Sequence, residues 1–175
     1  NVQFMNQDSD LDHQKLYANF KWERPTHYNF ATDVVDSWAR DEPDKLAIFW
    51  VGDNADQKQR TFAQISSNSK SLANGLKSAG VKRGDVIILM LGREIEWWES
   101  FTASLRMGTV ISPGTSQLSA KDLAYRIIAA AATTIITNTI IRCYIITIFS
   151  YTTYQFIIIS ITRNYSDIST IITTI

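Results

Sequence analysis

The alternation of apolar and polar residues divides most of this chain into short strands and amphipathic helices. Val86 to Leu91 are six consecutive apolar residues, the pattern of a strand buried on both faces. Glu94 to Met107 carry a helical stripe in which Trp97, Phe101 and Leu105 recur four apart, and Thr109 to Ser112 form a second short apolar run. A strand, a helix and a strand in succession predict two parallel neighbours with a right-handed crossover. Adjacent Trp97 and Trp98 invite a ligand-stacking role, but aromatic residues at helical spacing usually belong to a core, and both are expected there. Glu94 and Glu96 at the start of this helix and Arg106 at its end complement the helix dipole.

The same reading extends in both directions. Thr32 as N-cap, Asp33 in the first turn and apolar Val34, Val35 and Trp38 predict a helix closed by Pro43. Leu46 to Val51 reads as a strand, Gly52, Asp53 and Asn54 as a turn, and Lys58 to Thr61 as the returning strand of a hairpin. Thr61 followed three residues later by Gln64 is a capping box. The helix it opens has Phe62, Ile65, Leu72, Leu76 and Ala79 on one face and Gly80 as a left-handed cap, with its Ser, Asn and Lys residues expected to face water. Lys82, Arg83 and Asp85 resemble a phosphate grip in composition, but a turn leading into a strand lacks the helix N-terminus and glycine run of a phosphate cradle, so a solvated turn is expected. Pro113, Gly114 and Thr115 close the second strand at the carboxyl end, where doubly wound sheets place their ligand crevices. Ser119 with Asp122 opens a helix through Leu123, Tyr125, Arg126 and Ile128, and Thr134 to Thr137 follow as a third parallel strand. The fold class is therefore α/β, a mostly parallel sheet flanked by helices.

The two ends read differently. Residues 1–19 are polar and acidic, without periodicity, and are expected as a loose arm; Phe20, Trp22, Tyr28 and Phe30 around Pro25 are expected to lie across the domain surface as an anchor. His13 and His27 are isolated, with no partner at metal-ligand spacing. The first residue is Asn1 and no basic stretch followed by an apolar one precedes the domain, so the N-terminus is expected to be incomplete or processed, without a readable targeting signal. From residue 133 the vocabulary changes: Leu, Val, Ala, Gly, Pro, Lys and Glu are absent, and 15 Ile with 11 Thr make up 26 of 43 positions. Such composition fits a translated AT-rich tract, as after a frameshift or intron read-through. Cys143 to Thr162 is 20 residues without a charge between Arg142 and Arg163, the length of a membrane span. Thr147, Ser150, Thr152, Thr153, Gln155 and Ser160 are scattered through it without interfacial pattern, which speaks against a span and leaves an aggregation-prone β-branched tract. The expected division is an arm over 1–19, a partial domain over 20–137, and a non-native Ile/Thr-rich tail without function over 138–175.

Length and charge narrow the function classes. At 175 residues the chain is long enough for one ordinary domain with a proper core, and its zero formal net charge does not point to a nucleic-acid or acidic-membrane partner. One cysteine, Cys143, excludes an internal disulfide framework and a cysteine-based zinc site.

Several phrases together carry a resemblance: HYNFATDVVDSWARDEPDKLAIFWV from His27, RTFAQISSNSKSLANGLKSAGVKRGDVI from Arg60, REIEWWESFTASLRMGTVISPGTSQLSAKDLAYRI from Arg93, and TTIIT from Thr133. In this order and spacing, over residues 20 to 137, the chain resembles the N-terminal part of medium-chain-type acyl-CoA synthetases of the adenylate-forming (AMP-binding) superfamily. The resemblance implies an enzyme that activates a carboxylic acid such as a medium-chain fatty acid with ATP and Mg²⁺ and passes the acyl group to coenzyme A, located in the cytoplasm or the mitochondrial matrix. It implies one site residue in this chain, Gln117 in PGTSQL, which matches the family glutamine that contacts coenzyme A; a surface or cap role for Gln117 stays open beside it. The family's TSGTTGxPK-type phosphate loop, YGxTE motif, ribose-binding Asp and Arg, and C-terminal Lys have no counterpart here, so no strong binding of ATP, Mg²⁺ or coenzyme A is expected. The missing strands of the family's sheet are expected to leave apolar edges uncovered. Two other classes are carried alongside: a non-catalytic coenzyme A-binding or regulatory module with this fold, and a membrane-anchored fragment.

Overall fold

The computed structural model describes residues 13–22, 25–137, 156–160 and 169–173. The six-residue apolar run supplies its central strand. β1 (Leu46–Val51) and β2 (Gln57–Thr61) form an antiparallel hairpin, and α3 (Phe62–Ser78) starts where β2 ends. β3 (Val86–Met90) then lies between β4 (Val110–Pro113) and β5 (Thr134–Thr137), parallel to both, with Val86 in register with Val110 and Ile87 with Thr134. Ile87, Ile88 and Leu89 are fully buried, as an unbroken apolar strand between helical layers requires.

Side-chain alternation along β3 sorts the helices onto opposite faces. Ile88 and Met90 pack with Leu123 and Ile127 of α5 (Ala120–Ala129), which joins β4 to β5. Ile87 and Leu89 pack with Leu72 and Leu76 of α3 and Ala103 of α4 (Ile95–Met107), which joins β3 to β4. Beyond β5 the sheet gains β6 (Phe156–Ser160), parallel to β5, and β7 (Ser169–Thr173), antiparallel to β6, in the order β4-β3-β5-β6-β7. The edge of β5, expected to be uncovered, is therefore paired; β-branched Ile and Thr suit a pleated surface whatever the surrounding composition. Among the described residues no helix is long and apolar enough to cross a membrane, and Phe156–Ser160, within the uncharged stretch weighed as a span, is a strand.

Local signals account for most element boundaries. Thr61 Oγ1 accepts from the Gln64 N–H at 3.3 Å and Gln64 Oε1 accepts from the Thr61 N–H at 3.0 Å, so the capping box forms. Gly80 follows α3 at φ 96°, a left-handed conformation that favours glycine. Ser119 Oγ accepts from the Asp122 N–H at 3.2 Å, capping α5.

Four expectations are corrected. The helix predicted from Thr32 begins earlier: a π-helical turn over Ala31–Val35 runs into α2 (Asp36–Asp41), and Asn29 supplies the cap, its Oδ1 accepting from the Ala31 N–H at 2.9 Å. Asp33 accepts the Asn29 N–H at 2.6 Å, so it closes the cap. His13–Asn19, inside the stretch expected as an arm without periodicity, is helical (α1). The aromatic segment does not anchor: Phe20 and Trp22 meet edge to face with centroids 5.0 Å apart, and Trp22 is 81% exposed. Trp98 is not in the core but 52% exposed, because the inward face of α4 is carried by Ile95, Glu99, Thr102 and Ala103; Trp97 packs on the core edge, stacked on Phe101 at 5.2 Å.

Candidate functional site

The carboxyl ends of β3 and β4 meet at a turn whose shape is set by its two ends. The Gly114 N–H extends the ladder to the Leu89 carbonyl at 2.9 Å, and a Cβ at Gly114 would lie 3.0 Å from Met90 Cγ and 3.1 Å from Leu118 Cδ1. A side chain here would have to displace Met90 or Leu118 by a few tenths of an ångström, so the close approach favours glycine. At the other end Leu118 packs into the cluster beneath α5. Between them Thr115 Oγ1 accepts the Gln117 N–H at 3.3 Å, and Gln117 is left exposed, its side-chain amide without a hydrogen-bond partner among the described residues. The loop after β3 forms the neighbouring rim. There the Trp50 indole N–H of the hairpin donates to the Arg93 carbonyl, while the Lys58 ammonium sits 4.9 Å above the Trp50 ring.

Between the helices α2, α3 and α4 lies a network of polar and charged side chains. Arg106 makes a two-pronged pair with Asp36, NH1 to Oδ2 at 2.7 Å and NH2 to Oδ1 at 2.8 Å. Ser66 donates to Asp36 Oδ1 at 2.6 Å, Arg106 NH2 reaches Ser69 Oγ at 3.1 Å, and Lys70 Nζ lies 3.4 Å from Asp36 Oδ1. Burial alone would raise the Asp36 carboxyl; the hydrogen bonds from Arg106 and Ser66 and the charges of Arg106 and Lys70 outweigh it, lowering it from 3.8 to about 2. Glu99 is the opposite case. Its side chain is fully buried, Oε1 accepts from Asn68 at 2.7 Å and Arg60 at 3.4 Å, and Oε2 has no partner among the described residues. Burial therefore dominates and pushes its carboxyl above the ordinary 4.5.

This network overturns the expected water-facing side of α3. Ser66 and Ser69 are buried against α2 and α4, and Asn68 reaches Glu99. Ser100, Thr102 and Ser104 are buried on α4 because each hydroxyl donates to the carbonyl four residues back, at 2.7, 2.8 and 2.8 Å. No spacing rule marks Asp36 with Arg106, 70 residues apart, as partners; a carboxylate in the first turn of one helix and an arginine in the last turn of another is compatible with dipole complementation alone.

The candidates considered in the sequence do not converge. Lys82, Arg83 and Asp85 form a turn at the amino end of β3, with the Lys82 N–H donating to Asp85 Oδ2 at 2.8 Å, whereas Gln117 lies at the carboxyl end of β4. His27 is exposed on the rim of a cleft of about 680 Å³ beside Arg83 and Met107, away from the Gln117 turn.

A mostly parallel α/β sheet with helices on both faces and an exposed turn at its carboxyl edge is the architecture of the N-terminal subdomains of adenylate-forming enzymes. The solved N-terminal subdomain of Klebsiella oxytoca NpsA superposes with TM-score 0.58 at 21% identity, covering 65% of this chain and 28% of that one. An acyl-CoA synthetase from Brucella canis gives TM-score 0.67 at 20% identity over 85% of this chain and 27% of that one. Residues 35–155 match the family model described as AMP-binding enzyme, and the chain belongs to that family. Among curated relatives, the human mitochondrial acyl-coenzyme A synthetase ACSM3 is 38% identical over 136 residues, 74% of this chain; the chain spans 23% of that relative's length.

Proposed function

We propose that this chain is the N-terminal α/β part of an ATP-dependent acyl-CoA synthetase, an acid–thiol ligase converting a carboxylic acid, ATP and coenzyme A to acyl-CoA, AMP and pyrophosphate. The observation that carries the reading is the family match over residues 35–155, joined to 38% identity with a relative of that name. Within such an enzyme this part is scaffold with one ligand contact: Gln117, whose free amide offers a donor and an acceptor to coenzyme A from the turn at the carboxyl edge of the sheet. ATP and Mg²⁺ do not fit the described residues. No glycine-rich phosphate loop is present, and no three His, Cys, Asp or Glu side chains come together among them.

One neutral hydrogen bond adds about 1 kcal/mol, so coenzyme A is expected to bind this chain no tighter than about millimolar. The chain alone is accordingly expected to lack ligase activity. Pyrophosphate release is measured with ATP, Mg²⁺, coenzyme A and a medium-chain fatty acid; turnover that survives repurification would overturn this expectation. Coenzyme A titrated into the ¹⁵N-labelled chain is expected to shift the amides of Thr115 to Leu118, and Gln117→Ala to abolish the shift. Shifts elsewhere, or unchanged in the variant, would remove Gln117 from the site.

A further inference from the structure

Among the described residues β1 and β2 pair with each other and with no strand of the main sheet, so the hairpin is a two-stranded flap. Its base is fastened by backbone: the Phe62 N–H donates to the Lys45 carbonyl at 3.0 Å and the Ala63 N–H to the Pro43 carbonyl at 3.3 Å. Towards α4 it is fastened by side chains. The Trp50 indole N–H donates to the Arg93 carbonyl, and Arg60 Nε donates to Glu99 Oε1 at 3.4 Å. A two-stranded hairpin has little stability of its own, so these contacts decide whether it stays down. Glu99 is a poor anchor when charged. Its side chain has no exposed surface, Oε1 is shared by Asn68 at 2.7 Å and Arg60, and Oε2 is buried without a partner among the described residues. The groups that face it are Arg60 from β2, Asn68 from α3 and, along α4 itself, Glu96. The one cation makes a single long contact, with its Nη1 already donating to the Gln59 carbonyl at 3.0 Å, and it stands against both burial and a second carboxylate. Burial prevails, and an ionised Glu99 is relieved only when water reaches Oε2. Arg60, 29% exposed, is the part of its cover that belongs to the flap.

We propose that the β1–β2 hairpin is a proton-controlled flap, closed on α4 while Glu99 is protonated and increasingly lifted about its base as Glu99 gives its proton to water. Lifting carries Arg60 off Glu99 and the Trp50 indole off the Arg93 carbonyl. The loop between β3 and α4, at the carboxyl edge of the sheet, is thereby freed. In the lifted state Glu99 is hydrated and titrates near its ordinary 4.5, whereas in the closed state it titrates higher. Closure is therefore fully favoured below about pH 4.5 and weakens as pH rises through the closed-state value.

Amide hydrogen exchange of the full chain between about pH 4.5 and 7, each site corrected for its intrinsic rate, reads the opening equilibrium. Amides of β1 and β2 are expected to open at a lower free energy than those of Ile87–Leu89 in β3. Their opening constant should rise roughly fivefold or more across this range, and the Trp50 indole proton should follow them. Glu99→Gln keeps the shape and does not titrate; Glu99→Leu, apolar and of similar bulk, is a second non-titrating variant should the first fold poorly. In either, the hairpin opening constant should no longer change with pH. A flat profile in the parent, or the same rise in both variants, would overturn the proposal. So would a single opening free energy shared by the hairpin and β3, which would mean that the flap does not lift on its own. Opening that appears around Asn68 in α3 while the hairpin amides stay protected would equally overturn it, since water would then reach Glu99 from the other side.

Discussion

Replacing Asp36 with asparagine removes the charge at the meeting point of α2, α3 and α4 while keeping the side chain's shape. In the native chain the carboxyl is held at about 2 against an ordinary 3.8, with only about a fifth of its side chain accessible. At about 1.36 kcal/mol per pH unit that interval is worth roughly 2 kcal/mol of stability. Because the folded value is the lower one, this stability is fully present above about pH 4 and is lost as the pH falls from there through 2. The substituted amide does not titrate in this range. The difference in unfolding free energy between parent and Asp36→Asn, taken from urea melts followed by tryptophan fluorescence, should be about 2 kcal/mol at pH 7, about half of that at pH 3, and near zero at pH 2. Taking the difference cancels the titration of distant carboxylates. A difference that stays constant from pH 3 to pH 7, or never exceeds about 0.5 kcal/mol, would show that the Asp36–Arg106 pair does not hold the helices as described; the latter is typical of an exposed ion pair.

Other substitutions test neighbouring parts of the structure. Glu99→Gln should stabilise the fold at pH 7 by about 1 kcal/mol, since a buried carboxylate oxygen without a partner is no longer ionised. As the folded carboxyl lies above its ordinary value, the parent loses stability as pH rises from about 4.5, and the gain should vanish below that pH; equal thermal midpoints of parent and variant at pH 7 would refute the reading. Thr61→Ala should cost about 1 kcal/mol by breaking the capping box, with Thr61→Ser retaining most of it, read from urea midpoints. Gly114→Ala forces its Cβ against Met90 and Leu118 and should cost about 1–3 kcal/mol, with amide shifts at Gln117 and Leu118; a neutral change would mean that the turn yields easily.

The β3–α4–β4 unit, the hairpin, the capping box and the Ser119 cap were legible because each is encoded within a few residues: an apolar run, a turn, a hydroxyl three positions before its partner. The central position of β3 was legible too, since only a strand covered on both faces tolerates six apolar residues in succession. What escaped was encoded at long range. Ser66, Ser69, Ser100 and Ser104 look like a solvated face by composition, yet serines whose hydroxyls bond to their own helix or to a buried ion pair let two helices approach closely. Trp98 was misplaced because a helix with both apolar and small residues permits two inward faces, and close packing chose the small one. The aromatic segment around Pro25 carries hydrophobicity without periodicity, and hydrophobicity alone does not say what it packs against. Asn29 was missed because Thr32 is an equally good cap by residue type; the choice rests on the Asn29 side chain also reaching the Leu105 carbonyl at 2.8 Å, a contact between segments 76 residues apart. At the candidate site, Gln117 was identified by resemblance, and no pattern in the residues themselves distinguishes it from any exposed glutamine.

The placement of β3 between β4 and β5 also sets a timetable for synthesis. Met90 ends β3, but Thr137, which ends its second neighbour, is made 47 residues later. At 5–20 residues per second this interval lasts roughly two to ten seconds. Throughout it one flank of the most apolar strand has no mate, and the Thr133 N–H that later meets the Val86 carbonyl at 3.0 Å does not yet exist. The nascent chain is thus at its stickiest after α4 and β4 have formed, and slower elongation between Ala120 and Thr137 would lengthen that exposure.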